Sequence, residues 1–339
     1  MKFISTSIAT AILAAGAFMA GAAHAGTVIY NTGNAATATI ALGVNDDGSL
    51  NTADGNAVVN SDRTGVAYKF PDGSFRDATS PGCYCEGWGV SVNGTTSGYA
   101  NVTTDGGPNN LTFGGPTGVT GSTVTTTASL TSLAGITVTQ AYGVSTNAPG
   151  ALFKNTVTIT NTTGATVNDV KYVRVMDWDV PLTEFNEFVT IKGTATTTLL
   201  EFSNDNGFCS ADPLAGCNEI VGGTTNTDFT DAGPADHGAY FRFNFGSLDA
   251  GESYTFNIFY GAAGSESAAL AAIGAESIEL FSLGQSNGGE TTGSPATYIF
   301  GFSGVGGTPV PVPEPGSLAL VGLALAGLGA MRRRGSKQA

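Results

Sequence analysis

Apolar and polar residues alternate with a period of two over most of this chain, and that pattern confines it to extended strands. Phe241, Phe243 and Phe245 fall on one side of one run, Tyr254, Phe256, Ile258 and Tyr260 on one side of the next. Phe153, Asn155, Val157 and Ile159 alternate in the same way with Lys154, Thr156, Thr158 and Thr160. Successive side chains of a strand point to opposite faces, so each run buries one side and wets the other, as antiparallel sheets do. Turn residues punctuate the runs: Pro71-Asp72-Gly73-Ser74 after 66–70, and Asn93-Gly94 between Trp88 and Tyr99, a hairpin signal. The expected fold class is all-β, an antiparallel β-sandwich with one appended helix.

Three local expectations sharpen this picture. Residues 166–180 are apolar on both faces, Val173 and Val175 against Tyr172 and Met176, and so read as a central strand covered on each side. Residues 246–251 carry turn chemistry and predict a hairpin joining the two aromatic strands. From Ser265-Glu266-Ser267 onward, Ala269, Leu270, Ile273, Ile278 and Leu280 recur at roughly helical spacing, which predicts a helix ending near Gly284.

The two ends obey different rules. Lys2, the apolar residues 8–21 and Ala23-His24-Ala25 describe a secretory signal peptide over 1–25, cut before Gly26. At the other end, 308–339, a proline-punctuated run containing Pro313-Glu314-Pro315 precedes an uncharged apolar segment, 318–331, and the cluster Arg332-Arg333-Arg334. The prolines hold the backbone extended and remove amide donors, which leaves the run readable by another protein. The apolar segment, drawn as a single transmembrane helix over 316–331, is somewhat short of the ~20 residues of a comfortable span. Arginines on its far side predict a cytoplasmic tail and a body outside the inner membrane.

In its order of motif, short helix and arginine cluster, this end resembles the PEP-CTERM sorting signal of exported bacterial proteins, with Pro313-Glu314-Pro315 as the motif. The resemblance implies recognition by a membrane-embedded exosortase, cleavage near the motif, and delivery of the body to the cell surface or extracellular matrix. Signal peptidase and, transiently, the inner membrane are the other partners expected of such a route.

Between the ends lies a body, residues 26–307, with a subdomain boundary considered near 121. Of the 13 Lys+Arg, five lie in the ends (Lys2, Arg332, Arg333, Arg334, Lys337), and of the 27 Asp+Glu only Glu314 does. The body therefore keeps 8 basic against 26 acidic residues, near −18. That charge speaks against nucleic acid as a partner, since phosphate recognition needs a basic face, and it permits divalent cations. Four cysteines, Cys83, Cys85, Cys209 and Cys217, suit an oxidising compartment. Cys209 with Cys217 is the preferred pairing, Cys83 with Cys85 makes a very tight ring, and pairing across the clusters stays open, as do a redox dithiol and a four-thiolate zinc site.

Candidate chemistry centres on acids. Asp177 and Asp179 point the same way at the end of the central strand, and the loop bearing Glu184 and Glu187 could face them. With Trp178 between them, two such carboxyls in an open cleft would suit glycoside hydrolysis. The same oxygens would suit calcium, as would Asp46 and Asp47 in Asn45-Asp46-Asp47-Gly48-Ser49, although that loop lacks the closing Glu of an EF-hand. His237 reads as a loop histidine, and Trp88, Tyr84 and Tyr99 as a buried hairpin cluster rather than a sugar platform. The composite expectation is a non-enzymatic surface or matrix protein, structural or adhesive, associated with extracellular polysaccharide, biofilm or floc. It needs no cofactor unless calcium. The alternative is a secreted glycan hydrolase, or a calcium-dependent carbohydrate-binding module, built on Asp177, Asp179, Glu184 and Glu187.

Overall fold

In a computed structural model that describes residues 26–287 and 296–309, the chain is antiparallel β with one helix. A small sheet pairs β1 (Thr27–Tyr30), β2 (Ile40–Val44), β3 (Val66–Lys69) and β4 (Phe75–Asp77) in that order. A five-stranded sheet runs β13 (Leu200–Asn204), β15 (His237–Asn244), β11 (Lys171–Trp178), β5 (Gly87–Val92) and β6 (Thr96–Asn101). The nine-stranded sheet begins with β14 (Phe229–Ala235), β12 (Glu187–Lys192), β17 (Leu280–Gln285), β18 (Thr297–Ser303) and β16 (Ser253–Ala263). It continues with β10 (Leu152–Asn161), β9 (Ile136–Val144), β8 (Val124–Leu130) and β7 (Leu111–Phe113).

The five- and nine-stranded sheets face each other across an aromatic core. Phe241 and Phe243 on β15 meet Phe302 on β18 with ring centroids 5.2 and 4.9 Å apart, and Tyr172 on β11 meets Phe256 on β16 at 5.0 Å. The Trp178 indole donates to Ser282 Oγ at 3.0 Å across the same gap. Rings of this size contribute about 1.5–3 kcal/mol each on burial, so the alternating aromatics of β15, β16 and β18 are the main reason the layers close. The largest cluster of buried side chains runs from Ile29 to Val305 and takes in the small sheet as well.

Outside this core the two sheets are covered differently. Helix α1 (Glu266–Ala275), capped by the Ser265 hydroxyl, lays Ala269, Ala272 and Ile273 on Phe259, Phe281 and Ile299 of the nine-stranded sheet. The rest of that face is wet and rich in hydroxyls. Thr127–Thr139, Ser129–Thr137, Thr158–Thr255 and Thr160–Ser253 form hydrogen-bonded cross-strand pairs. Over the five-stranded sheet, residues 205–225 form a roof in which Cys209 and Ala211 pack on Val173, Val175 and Tyr240. β11 is thereby buried on both faces, as its composition predicts.

Two expectations are corrected. Residues 246–251 do not make a hairpin, because β15 and β16 belong to different sheets. Val167 exchanges both backbone hydrogen bonds with Leu248, and Val170 donates to the Gly246 carbonyl, so the linker is captured by the approach to β11 and crosses between layers. The two aromatic faces meet across the sandwich instead of side by side. The helix stops at Glu276 rather than near Gly284, since Ser277 takes φ 53° and Leu280–Gln285 becomes a strand. That strand is buried on both faces, and the spacing of Leu280, Phe281 and Leu283 suits a helix equally well.

Candidate functional site

Two charged residues of β11, Arg174 and Asp177, are buried, and the acids gather where the strand ends. Asp177 sits opposite Gly238 of β15, and the bare backbones of Gly238 and Gly207 press on it so closely that a Cβ at either would come within 3 Å of its Cα. Asp179 is fixed one step on, its amide donating to the Ala78 carbonyl at 2.8 Å. Asp236, from the turn between β14 and β15, comes over the same side. Oxygens of Asp177, Asp179 and Asp236 all lie within 4.8 Å of one another. Asp177 and Asp179 are 1% and 0% exposed, whereas Asp236 is open to solvent.

What these carboxylates lack is donors. Neither oxygen of Asp179, nor Oδ1 of Asp177, has a hydrogen-bond partner. Asp177 Oδ2 lies 3.3 Å from Cys83 Sγ, but that sulfur is bonded to Cys85 and carries no proton to donate. Among the described residues no Lys or Arg pairs with any member of the group. Burial, reinforced by Asp236, pushes the Asp177 carboxyl well above the usual carboxylate range. Burial and then Asp177, Glu187, Asp236 and Asp77 push Asp179 up to about 10. Glu187, on β12 and fully buried, is pushed up to about 9 by burial and by Asp177 and Asp236, despite accepting from the amides of His237 and Asn186.

Beside this group lies a fully furnished one. Asp205 accepts from the amides of Ile220 and Val221, from Thr224 Oγ1 at 2.7 Å and from His237 Nδ1 at 2.9 Å. Burial alone would raise its carboxyl, but these donors outweigh it and hold Asp205 below its ordinary value. The pairing places the His237 proton on Nδ1, and His237 is buried rather than a solvated loop histidine.

The remaining candidates are dispersed. Glu184 does not join Asp177 and Asp179; it accepts from Asn60 at 3.2 Å and lines a surface pocket of about 350 Å³ with Asp62, Tyr84 and Phe185. In that pocket Tyr84 donates to Asp62 Oδ1 at 2.7 Å under the Arg63 guanidinium, and Phe185 stays 49% exposed. Trp88 and Trp178 are fully buried, so neither offers a face to sugar, and Asp177 and Asp179 do not flank an open cleft. Asp46 and Asp47 are buried in a turn in which Asp47 Oδ1 accepts from the amide and hydroxyl of Ser49. Cys209 pairs with Cys217, and Cys83 with Cys85, so all four cysteines are in disulfides.

Sequence reasoning missed Asp236 as a partner of Asp177 and Asp179. The only signal was its place next to a lone histidine at a strand start, and its closeness is made by the β11–β15 register, which alternation alone does not fix. It also missed Arg174, whose signal was a basic residue in the middle of a doubly apolar strand. Arg174 is fully buried on the inward face of β11, paired with Glu86 and donating to Gln140 Oε1 at 2.8 Å and the Gly48 carbonyl at 3.2 Å. Glu86 in turn accepts from the Leu50 amide at 2.6 Å, which ties the 45–50 turn into the core.

An antiparallel β body whose cysteines are all bridged belongs with proteins built for the oxidising side of a membrane. The carboxyl-terminal end makes the class particular: residues 311–334 match the PEP-CTERM protein-sorting motif. The motif implies an exported protein, processed at the membrane by an exosortase. No curated protein matches the chain. The matched residues, like the expected transmembrane helix over 316–331 and the signal peptide over 1–25 with Ala23, Ala25 and Gly26 at its cut, fall outside the described residues save for Gly26. Among the described residues no helix is long and apolar enough to cross a membrane.

Proposed function

We propose that the sorted body serves as a structural or adhesive component of the extracellular polysaccharide matrix, and that it contacts glycan through the pocket bounded by Tyr84, Phe185, Asp62 and Glu184. The observation that carries this reading is the exposed Phe185. An aromatic held 49% exposed at φ 70°, against Gly82 and across from a tyrosine and two carboxylates, is the kind of surface that stacks on a sugar ring while accepting its hydroxyls. The uncharged hydroxyl rows on the nine-stranded sheet add a polar, non-ionic face compatible with a hydrated matrix. Binding is favoured over hydrolysis because three of the four acids named for catalysis, Asp177, Asp179 and Glu187, are buried and do not line this pocket.

The test is retention on the host's own exopolysaccharide, with Phe185→Ala and Tyr84→Ala beside wild type. Wild-type retention lost in both variants, with unchanged thermal midpoints, supports the reading. Retention equal in all three, or absent from wild type, overturns it. Mass spectrometry of matrix and membrane fractions checks delivery, since cleavage near Pro313-Glu314-Pro315 should leave the Arg332-Arg333-Arg334 tail out of the matrix form.

A further inference from the structure

The structure assigns a divalent-cation site, of the calcium class, to Asp177, Asp179 and Asp236. Three observations carry it independently of the glycan reading. The oxygens of the three side chains converge within 4.8 Å. Asp179, 0% exposed, aims two oxygens with no donor into that space, and Asp177, 1% exposed, adds its Oδ1, which has none either. An isolated buried carboxylate is costly, and buried charges in folded proteins are ordinarily paired or metal-bound. Among the described residues no Lys or Arg supplies the balance, and His237, next to Asp236, is already paired with Asp205.

The donor set selects the ion. Carboxylate oxygens alone are hard ligands and suit calcium, magnesium or manganese rather than copper or zinc. Calcium accepts bidentate carboxylates in irregular geometry, and three of them offer up to six oxygens, with water completing the shell on the exposed side of Asp236. Glu187 lies on the facing sheet, but its own oxygens are occupied by the amides of His237 and Asn186. Cys83 and Cys85 also lie within reach of Asp177, but as a disulfide they are not thiolate ligands. An ion at this point would fasten the end of β11 to the turn preceding β15, a place where the sheet is otherwise held against mutual repulsion.

The experiment uses the full chain, disulfides intact, purified in detergent and stripped with EGTA. Calorimetric titration with calcium should show a single saturable site per chain, and the thermal midpoint should rise with the logarithm of free calcium. Magnesium should give a smaller rise. In Asp179→Asn both responses should disappear, while the stripped variant melts no lower than stripped wild type, because a neutral amide of the same shape replaces a carboxyl whose oxygens have no hydrogen-bond partner to lose. That combination separates a cation ligand from a merely structural aspartate, whose replacement would lower the stripped midpoint. The inference is overturned if the oxidised chain neither takes up heat-detected calcium, magnesium or manganese nor shifts its midpoint, if Asp179→Asn binds as wild type does, or if only zinc binds and only after reduction.

Discussion

Two charged groups sit three residues apart on β11 and solve the same problem in opposite ways. Arg174, on the inward face, arrives with its balance: Glu86 opposite, Gln140 and the Gly48 carbonyl as acceptors, and Tyr142 and Tyr172 hydroxyls beyond. Burial disfavours the charged guanidinium, but Glu86 and the tyrosines outweigh it and keep Arg174 ionised. Asp177, on the outward face, has more acids and a disulfide about it, and a single amide, that of Trp178, as donor. A buried ion is tolerated when its partners are built in and is costly when one of them is removed; without them it leaves a place for something from outside.

Removing one partner from the balanced group should have the largest effect. Arg174→Met leaves Glu86 buried and unpaired, and urea unfolding should show a loss of about 3–5 kcal/mol. Adding Glu86→Leu to it should restore a good part of that loss; no recovery in the double variant would show that shape, not charge, is what the site demands. The outward face can be loosened selectively. Cys209→Ser with Cys217→Ser opens a loop with sequence separation 8 and should cost about 2.5 kcal/mol by loop-closure entropy. Its roof over Val173 and Tyr240 should then exchange amide hydrogens faster, while the Arg174 side stays protected.

Acid should distinguish the furnished carboxylate Asp205 from its unfurnished neighbours. Its folded pKa lies below the unfolded value, so its contribution is complete above about pH 4 and is lost as pH falls through the folded value. Asp205→Asn should therefore flatten the acid limb of the stability curve and leave pH 7–8 nearly parallel to wild type. The smallest effect belongs to the hydroxyl rows: Thr158→Ala, losing one cross-strand partner in Thr255, should cost about 0.2–1 kcal/mol and sets the scale for the rest.

Much of this contrast was legible before any coordinates. Alternation announced the antiparallel strands, double-sided apolarity announced β11 as central, and an even cysteine count in an exported chain announced disulfides. What escaped was everything decided between layers. The 246–251 linker has the local chemistry of a hairpin, and only its capture by Val167 and Val170 sends it across the sandwich. Leu280–Gln285 has spacing that fits either period, and its neighbours β12 and β18 decide. Asp177 and Asp179 could be paired from strand parity, but Asp236 joins them through register, and Glu184 leaves them because its loop turns outward toward Asn60. Side-chain parity is a local property, whereas register and layer are collective.

The last strand among the described residues is not at an edge. β18 lies between β17 and β16, hydrogen-bonded to both, and immediately after it Gly306 and Gly307 are held by Thr198 and Glu279. A pull exerted on the body through the residues that follow β18 would thus be delivered into the middle of the nine-stranded sheet, where two ladders must shear together before the strand can be drawn out. Tension from a moving cell or a flowing medium would spread through the sandwich instead of peeling it from one side.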